Sequence, residues 1–367
     1  MVKIPLFYPH IPKAAINNVV EVLQSKFVGQ GPEVDKFEFK FNKKFCPEMY
    51  AVATGSGTDA LHLAYILAGI KDNDEVLTPL FTCTATNTTL LYQRAKIKFV
   101  DIQPNTLNID PEDVRRKITD KTRAIVCVHY GGLPCEMAEL TQIAYEHNIP
   151  LIQDSAHALG ATYYQKPISF WSEFSMFSFQ AIKHLTTADG GMLIIKDKGL
   201  VEKAKRLRWF GIDRVAKLNS TWDNDIWELG YKYQMTDVSA SIGLAGLDTF
   251  DQVLEYRKLL FGIYETNLKY TPGIKIIGTG YTDREHACWL MTVKVEKRKD
   301  LQRKLAEYGI ESDQVHYRND RYTIFGGRVE DCPNMDAMED NYLVLPLHTK
   351  MEPTDVIKIT ECIKCGW

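Results

Sequence analysis

Lys183 is the residue of this sequence with the clearest potential for covalent chemistry. It follows an apolar run that includes Phe177 and Phe179, and Ile182 and Leu185 lie close to it in the chain. Burial among such residues disfavours the charged form of an amine and lowers its pKa, which a lysine needs in order to form a Schiff base. On this stretch alone, an ordinary lysine in a surface loop is the simpler interpretation.

A second candidate is an anion-binding turn. Residues 54–58 (Thr-Gly-Ser-Gly-Thr) join a predicted strand to a predicted helix. Ser56, Gly57 and Thr58 would offer backbone N–H groups and hydroxyls at the positive end of that helix, which suits a phosphate. An N-cap in a tight turn is the alternative. A Walker-type nucleotide loop is excluded, because the turn lacks the Gly-Lys-Ser/Thr sequence.

The third candidate is Asp154, which ends another predicted apolar strand. A buried carboxylate needs a partner, and a pyridinium N–H would be one; an aspartate that caps the next helix is the alternative. The turn, Asp154 and Lys183 follow one another as three anchors of pyridoxal 5'-phosphate (PLP), which would hold its phosphate, its ring nitrogen and its carbonyl carbon. Ser178 would add a hydroxyl to the phosphate site. This joint order favours PLP binding over three unrelated roles.

The elements that must position these residues alternate along the chain. Short apolar runs predict strands near residues 50–53, 75–77, 97–100, 123–128, 150–153, 174–179 and 192–195. Helical patterns lie between most of them, near residues 59–68, 85–93, 111–118, 137–147 and 200–209. This alternation predicts an α/β fold with a mostly parallel central sheet covered by helices on both faces. Ligands bind at the carboxyl ends of such strands, where the three candidates fall.

The length predicts two domains, since 367 residues exceed the roughly 250–300 that share one core. We expect a large domain over residues 1–250, with helices near residues 11–25 and 32–45, and a smaller α+β domain over residues 251–367. The smaller domain would begin with a long helix after residue 250. Its other predicted elements are strands near residues 274–277 and 289–295 and helices near residues 300–308 and 353–363.

Charge and hydropathy exclude several classes of protein. With a net charge of −3, the chain lacks the excess of positive charge that is typical of nucleic-acid-binding proteins. No apolar run approaches the roughly 20 residues of a membrane-spanning helix. The first residues lack the pattern of a signal peptide, so we expect a cytoplasmic protein without a membrane partner. The eight cysteines are scattered, and Cys362 with Cys365 cannot complete a zinc site alone, so we expect no metal.

Four motifs, in this order, resemble those of the DegT/DnrJ/EryC1/StrS family of sugar aminotransferases. They are residues 29–32 (Gly-Gln-Gly-Pro), 55–61 (Gly-Ser-Gly-Thr-Asp-Ala-Leu), 154–160 (Asp-Ser-Ala-His-Ala-Leu-Gly) and 177–191, which contain Phe-Ser-Phe, Lys183 and Gly-Gly. The resemblance runs from about residue 5 to the C-terminus and is densest over residues 25–245. It implies the three-layer fold type I of PLP-dependent transferases, with a smaller C-terminal domain.

The resemblance also implies an activity. Members of the family transfer an amino group, usually from L-glutamate, to a keto group on a nucleotide-linked deoxysugar, and PLP alternates with pyridoxamine 5'-phosphate. We therefore expect a role in the biosynthesis of surface glycans such as the O-antigen of lipopolysaccharide. The family pattern further implies a homodimer whose active sites lie at the subunit interface.

Residue by residue, the resemblance assigns roles at the cofactor. Lys183 matches the lysine that binds PLP covalently and later carries a proton. Asp154 matches the partner of the pyridine nitrogen, and His157 matches a position near the cofactor ring and its hydroxyl. The phosphate contacts implied in the same way are Gly57, Thr58 and Ser178, and Ser56 of the same turn is added from its hydroxyl.

Two positions depart from the family pattern. Cys83 stands where an aromatic ring usually lies against the cofactor, so either Cys83 covers the ring weakly or Phe81 takes that place. Lys232 replaces an asparagine that reaches the phosphate from the partner subunit. Lys232 would bind the phosphate by charge instead, or else it is a solvated loop lysine.

The substrate cleft is indicated less specifically. The candidates for substrate binding are Gln30, Arg208, Arg214, His316 and Arg318. The charged ones would pair with a diphosphate or with the donor carboxylate, and a structural or solvated charge is the alternative for each.

Other activities remain open at this point. Lys183 disfavours the dehydratase branch of the family, which has histidine in its place, although His184 is adjacent. An aminotransferase that acts on a non-nucleotide ketone and a non-catalytic, sugar-sensing regulator are further alternatives. The residues do not indicate which nucleotide, sugar or ring carbon is involved.

Overall fold

The central sheet is best described from its strands. The structure is a computed structural model, which describes residues 3–214, 216 and 225–367. The strands in this part of the chain are β1 Tyr50–Thr54, β2 Glu75–Pro79, β3 Phe81–Thr82, β4 Lys96–Val100, β5 Thr122–Val128, β6 Leu151–Asp154, β7 Thr162–Tyr163, β8 Lys166–Pro167, β9 Phe174–Ser178, β10 Gly191–Ile195, β11 Ile274–Ile276, β12 Arg284–Glu285, β13 Met291–Val295, β14 Tyr317–Arg318 and β15 Tyr342–Leu345.

The described helices surround these strands. They are α1 Ala14–Ser25, α2 Pro32–Phe45, α3 Gly57–Leu67, α4 Thr84–Tyr92, α5 Pro111–Lys117, α6 Met137–Glu146, α7 Val201–Leu207, α8 Asp237–Leu268, α9 Arg298–Glu307, α10 Pro333–Met338 and α11 Pro353–Lys364. None of these helices is both long and apolar enough to cross a membrane.

Seven strands form one sheet in the order β1-β10-β9-β6-β5-β2-β4. The pairs from β9 through to β4 are parallel, whereas β10 runs antiparallel to both of its neighbours. The carboxyl ends of β1, β6 and β9 therefore lie at the same edge of the sheet as the first residue of β10. This edge carries the candidate site.

Each face of the sheet buries its own apolar layer, because alternate side chains of a strand point to opposite faces. In β5, Ile125 and Cys127 contribute to the cluster that contains Phe37 and Phe41 of α2, while Val126 belongs to the cluster with Leu61 of α3. Helices thus cover both faces. The predicted α/β fold with a mostly parallel sheet is confirmed.

The smaller unit contains the sheet β11-β13-β15, with α9 and α11 in its apolar cluster. Most predicted elements agree with the structure to within two or three residues. The long helix is the main exception, since α8 begins at Asp237 and not after residue 250. Its first turns escaped prediction because they are rich in small residues; Gly243, for example, leaves room for Phe37 and Thr187. The boundary at residues 250 and 251, which falls inside this helix, stays a prediction.

Candidate active site

The anion-binding turn lies directly against the ends of two strands. Thr54 is paired with Gly191, and Gly191 with Ser178, in the register of the sheet. A Cβ atom on Gly57 would come within 3.0 Å of the Ser178 Cβ, and one on Gly191 within 2.4 Å of the Ser56 carbonyl oxygen. Glycine is needed at both positions for this close approach, which brings Ser56, Gly57 and Ser178 together.

The turn is an N-cap as well as a possible anion site. The Ser56 Oγ accepts a hydrogen bond of 3.1 Å from the backbone N–H of Asp59, and the Thr54 Oγ1 donates one of 2.8 Å to the Ser56 carbonyl. The N–H groups of Gly57 and Thr58, at the start of α3, have no acceptor within the helix because of their position. Both interpretations of this turn are therefore compatible, and its geometry suits a phosphate.

Asp154 is a buried carboxylate with two donors. Its Oδ2 accepts 2.7 Å from the Thr86 hydroxyl, and its Oδ1 accepts 3.1 Å from the backbone N–H of Ala156. Residues 155–160, which follow it directly, form turns and no helix, so Asp154 does not serve as a helix cap. Burial raises the pKa of Asp154, against the hydrogen bond from Thr86 and the charge of Lys183, which lower it. A further N–H donor would stabilise the ionised form.

Lys183 lies in the loop between β9 and β10 and is half-buried. Its Nζ is 3.7 Å from the centroid of the Trp289 ring, and Trp289 is fully buried. Burial lowers the pKa of Lys183 to about 8, although the nearby charges of Asp154 and Cys83 act to raise it. The surface-lysine alternative does not fit this environment, and the amine is partly neutral near physiological pH.

Two histidines pack beside the same tryptophan. The His157 ring stacks on Trp289 at 3.8 Å between centroids, and its Nε2 is 3.4 Å from the Nε2 of His316. The His157 Nδ1 accepts from the backbone N–H of Gly131 at 3.3 Å, which assigns the proton of the neutral ring to Nε2. Burial, followed by the charge of Lys183, lowers the pKa of His157 well below its usual range and that of His316 to about 3. Both rings are therefore neutral.

The structure decides between the two residues offered as cover for a cofactor ring. Phe81 is buried in a core cluster. The centroid of its ring lies 4.9 Å from that of the Tyr130 ring and 5.1 Å from that of the Tyr342 ring. Phe81 cannot turn toward Lys183 without opening that core, so we withdraw it as the residue that covers the cofactor ring. Cys83 is half-buried and close enough for its charge to act on Lys183, which leaves it as the candidate.

Together these residues fit PLP. Any side chain at position 57 would fill the space beside the turn, and the first N–H groups of α3 have no acceptor within the helix. The buried Asp154 carboxylate has two donors and lacks a third. Lys183 is a desolvated amine near that carboxylate.

Comparison with known proteins agrees with a site for PLP. The model of the DegT/DnrJ/EryC1/StrS aminotransferase family matches residues 9–364. The chain belongs to this family. The aminotransferases of the family use PLP, so the protein is a PLP-dependent sugar aminotransferase with the corresponding fold, as predicted.

Three similar proteins cover nearly the whole chain. The spore coat polysaccharide biosynthesis protein SpsC of Bacillus subtilis is 33% identical over 98% of this chain and 96% of its own. GDP-perosamine synthase of Escherichia coli O157:H7 is 31% identical over 98% and 97%. The crystal structure of AtS13 from Actinomadura melliaura is 35% identical, covers 100% of both chains and superposes with a TM-score of 0.93.

Two arginines that we expect in the substrate cleft of this aminotransferase have structural partners. The Arg208 guanidinium is buried and contacts the Glu38 carboxylate at 2.6 Å and the Ala53 carbonyl at 2.7 Å. The Arg318 guanidinium is buried against Asp320, with two parallel hydrogen bonds of 2.7 Å. We withdraw Arg318 as a substrate-binding residue. Arg208 lines the same pocket as Gln30 and Arg214, and its role toward the substrate stays a prediction.

The remaining substrate candidates stay predictions. Gln30 is buried, and its Oε1 has no partner among the described residues. Its backbone carbonyl accepts from the Arg214 guanidinium, and both residues line a pocket of about 460 Å³ together with Trp209. His316 reaches the cofactor region through its contact with His157.

Lys232 is exposed and lies in the segment that runs beside the phosphate turn. The carbonyl of its neighbour Tyr233 accepts from the backbone N–H of Gly55 at 2.7 Å. The Lys232 Nζ lies 4.2 Å from the centroid of the Trp209 ring. Its role toward a partner subunit stays a prediction. Among the described residues there is no cluster of three or more potential metal ligands.

Sequence reasoning missed two residues that shape this site. Thr86 holds the Asp154 carboxylate from α4, but a threonine in a hydroxyl-rich helix start gives no signal of its partner. Trp289 was read as the apolar start of a strand, whereas β13 begins at Met291 and the indole faces Lys183. Phe177, Phe179 and Leu185, which we expected around the lysine, belong mainly to the core.

Proposed function

We propose that this sugar aminotransferase moves an amino group from L-glutamate to the keto group of a nucleotide-linked deoxysugar. The observation that carries the proposal is the convergence of the phosphate turn, Asp154 and Lys183 at one edge of the sheet. The names of two relatives, GDP-perosamine synthase and a spore coat polysaccharide biosynthesis protein, support a nucleotide-linked sugar and a product used in a surface glycan. Synthesis of an O-antigen in the cytoplasm is the setting we propose.

Each anchor has a proposed task. Bound PLP would supply an electron-withdrawing pyridine ring that stabilises negative charge on the carbon that loses a proton. The phosphate would sit on the N–H groups of Gly57 and Thr58 and on the hydroxyls of Ser56 and Ser178. Asp154 would accept the N–H of the pyridine ring, and this third donor would favour the ionised form of its carboxylate.

Lys183 would bind the cofactor covalently and carry the proton. An amine with a pKa of about 8 exists in both forms near neutral pH, so it can attack a carbonyl carbon and later take or return a proton. The neutral pair His157 and His316 adds no positive charge beside it. The Nε2–H of His157 would then be a donor to the ring hydroxyl of the cofactor.

Two further residues complete the proposed cofactor site. Cys83 would lie against one face of the ring, where it offers a small polarisable side chain in place of an aromatic one. Lys232 would contribute a positive charge to the phosphate from the second subunit of a homodimer. Helix α1 is consistent with such a dimer, because Ile16, Val20 and Leu23 on it are exposed although apolar.

The test compares the wild type with the Lys183→Ala variant. The purified wild type should show the visible absorption of covalently bound PLP, convert to the pyridoxamine form with L-glutamate and release 2-oxoglutarate. The variant should lose both the band and the turnover, whereas a variant that keeps both would contradict the role of Lys183. A panel of nucleotide-linked and free keto-sugars then separates the proposed substrate from a non-nucleotide ketone, and loss of water without amino transfer would indicate a dehydratase.

A further inference from the structure

The amine of Lys183 rests on an aromatic face that the family pattern did not predict. The Nζ atom is 3.7 Å from the centroid of the Trp289 ring, well inside the distance of about 6 Å at which a cation is attracted to an indole. Tryptophan is the strongest of the aromatic side chains in this interaction. The structure therefore places the reactive nitrogen in direct contact with an aromatic face.

The indole is fixed on several sides. Its Nε1–H donates a hydrogen bond of 3.2 Å to the carbonyl of Ile182, the residue before the lysine. The His157 ring stacks on it with an angle of 16° between the planes, and the Phe7 ring stacks at 5.9 Å. Trp289 is thus bound both to the loop that carries Lys183 and to the histidine that we place near the cofactor ring.

Few charges compete for the lysine. Asp154 and Cys83 favour its ammonium form through charge, and Arg257 disfavours it. Arg257 is held away by hydrogen bonds to the carbonyls of Cys288 and Trp289, at 2.9 and 2.7 Å. His157, His184 and His316 also lie near Lys183, and burial lowers the pKa of all three, so they are neutral.

A bound cofactor would change the balance of charges around Lys183. If Asp154 pairs with the pyridine nitrogen, as proposed above, its charge is compensated there and attracts the lysine less. The quadrupole of the Trp289 ring remains. An ammonium that is released from its covalent bond would otherwise be left in a desolvated site with little compensation.

We propose that Trp289 is a positioning residue, whose indole face holds the ammonium of Lys183 whenever that nitrogen is not covalently bound. The inference rests on the proposed role of Lys183 as the covalent lysine. The indole keeps the amine within reach of the site and favours its protonated form against the effect of burial. Replacing it by an aliphatic side chain should therefore make Lys183 a weaker base.

The experiment measures the basicity of Lys183 in the apoprotein. Acetic anhydride labels the neutral amine, and mass spectrometry follows the peptide that contains Lys183 as a function of pH, with the exposed Lys196 as internal reference. In Trp289→Leu the midpoint of labelling should fall by about one pH unit relative to wild type, as a desolvated cation–π contact implies. Trp289→Phe keeps a weaker aromatic face and should shift by less.

A matched control removes a tryptophan elsewhere. Trp171 also donates its Nε1–H to a backbone carbonyl, that of Tyr163 at 3.3 Å, and Trp171→Phe should leave the midpoint unchanged. Near-ultraviolet circular dichroism checks the fold of each variant. If Trp289→Leu does not fold, Trp289→Phe still tests the proposal. In the wild type, the ammonium of Lys183 should quench the fluorescence of the indole, and the fluorescence should recover at high pH. Trp289→Phe should show no such step.

Two outcomes would overturn the inference. One is a midpoint in the folded Trp289 variants that equals or exceeds that of the wild type, and the other is the same fluorescence step in wild type and Trp289→Phe. Borohydride reduction of the PLP-loaded wild type separates this failure from that of the proposed function. If the reduced cofactor is found on Lys183, only the role of Trp289 has failed; if it is found on another lysine, the role of Lys183 has failed as well.

Discussion

Thr86 donates a hydrogen bond of 2.7 Å to the Oδ2 of Asp154 from the first turn of α4, so a hydroxyl on a neighbouring helix orients the buried carboxylate. The Thr82 hydroxyl lies 2.9 Å from that of Thr86 and continues the chain of polar contacts. This chain connects Asp154 to β3, which pairs with β14 and so with the segment that carries His316. The carboxylate is therefore fixed before any cofactor binds.

We predict that Thr86→Val weakens PLP binding. The substitution keeps the shape of the side chain but removes one donor from a buried carboxylate, and it raises the pKa of Asp154 further. An unmade hydrogen bond of this kind costs about 1–3 kcal/mol, which corresponds to roughly a fivefold to 150-fold increase in Kd. Fluorescence titration of the apoprotein with PLP measures the change.

Thr89→Val is the control for this prediction. Thr89 is also buried in α4, but its hydroxyl donates to the backbone carbonyls of Ala85 and Thr86 and does not touch Asp154. Its removal should leave the Kd for PLP within about twofold of the wild type, a change of well under 1 kcal/mol. Equal losses in the two variants would show that α4 matters as a whole, and that the contact with Asp154 does not.

We also predict that Gly57→Ala damages the phosphate site. Its Cβ would lie 3.0 Å from the Sδ of Met176 and from the Cβ of Ser178, so the turn must move away from the strand ends. Gly262→Ala in α8 meets nothing within 4 Å and, by helix propensity, should be neutral or stabilise the fold by up to about 1 kcal/mol. Isothermal titration with PLP should give a much larger Kd for Gly57→Ala alone, and an unchanged Kd would exclude the turn as the phosphate site.

The arrangement of elements could largely be predicted from the sequence. Apolar runs such as those of β5 and β6 are bounded by polar turns, and a buried parallel sheet requires little more than this pattern. The position of Asp154 at the end of a strand and that of Lys183 in the loop after a strand followed from the same pattern. The resemblance of the motifs then supplied the cofactor, which the family match confirms.

Side-chain partners distant in the chain could not be predicted. Arg208 pairs with Glu38, 170 residues earlier, and nothing in its local sequence distinguishes this buried ion pair from a substrate contact. Arg318 and Asp320 are close in sequence, but a two-residue spacing at the end of a strand does not fix whether the side chains meet. Trp289 belongs to the smaller unit, so its contact with Lys183 depends on how the two units pack.

The ion pair gives a third prediction. Arg208→Met leaves the Glu38 carboxylate in a largely buried place without its cation, and loss of one member of a buried pair costs about 3–5 kcal/mol. Urea unfolding should show this loss, while KM for the sugar substrate stays near the wild-type value in the folded fraction. Lys205→Met, which breaks an exposed pair with Glu202, should cost less than about 1 kcal/mol. A large rise in KM at unchanged stability would assign Arg208 to the substrate site.

A fourth prediction concerns pH. Because the pKa of Lys183 is lowered to about 8 by burial, the rate at which the apoprotein captures PLP should rise with pH up to about 8 and level off above it. The unfolded chain binds this proton up to its ordinary pKa of 10.5, so between about pH 8 and 10.5 the lysine makes folding more favourable as pH rises. Stopped-flow capture and urea unfolding, each compared with Lys183→Met, measure both effects. A capture rate that still rises steeply at pH 10 would contradict the lowered pKa.

The fifth prediction tests whether two subunits share each active site. If Lys183 of one subunit works with Lys232 of the partner subunit, Lys183→Ala and Lys232→Ala should each lower turnover as homodimers. In a mixed dimer, one site would carry both substitutions and the other would carry neither. Random co-assembly makes half of the dimers mixed, and each has one intact site of two, so about a quarter of the wild-type turnover should return. Co-expression with two affinity tags isolates the mixed dimer, which should then show about half of the wild-type turnover.

The control is a mixed dimer of Lys203→Ala and Lys183→Ala subunits. Lys203→Ala alters another charged side chain. That mixed dimer also retains one site with its own Lys183, so the control fixes the turnover expected from a single intact site. A Lys183→Ala and Lys232→Ala mixture that recovers no turnover above the sum of its two homodimers would mean that Lys232 acts in the same subunit as Lys183.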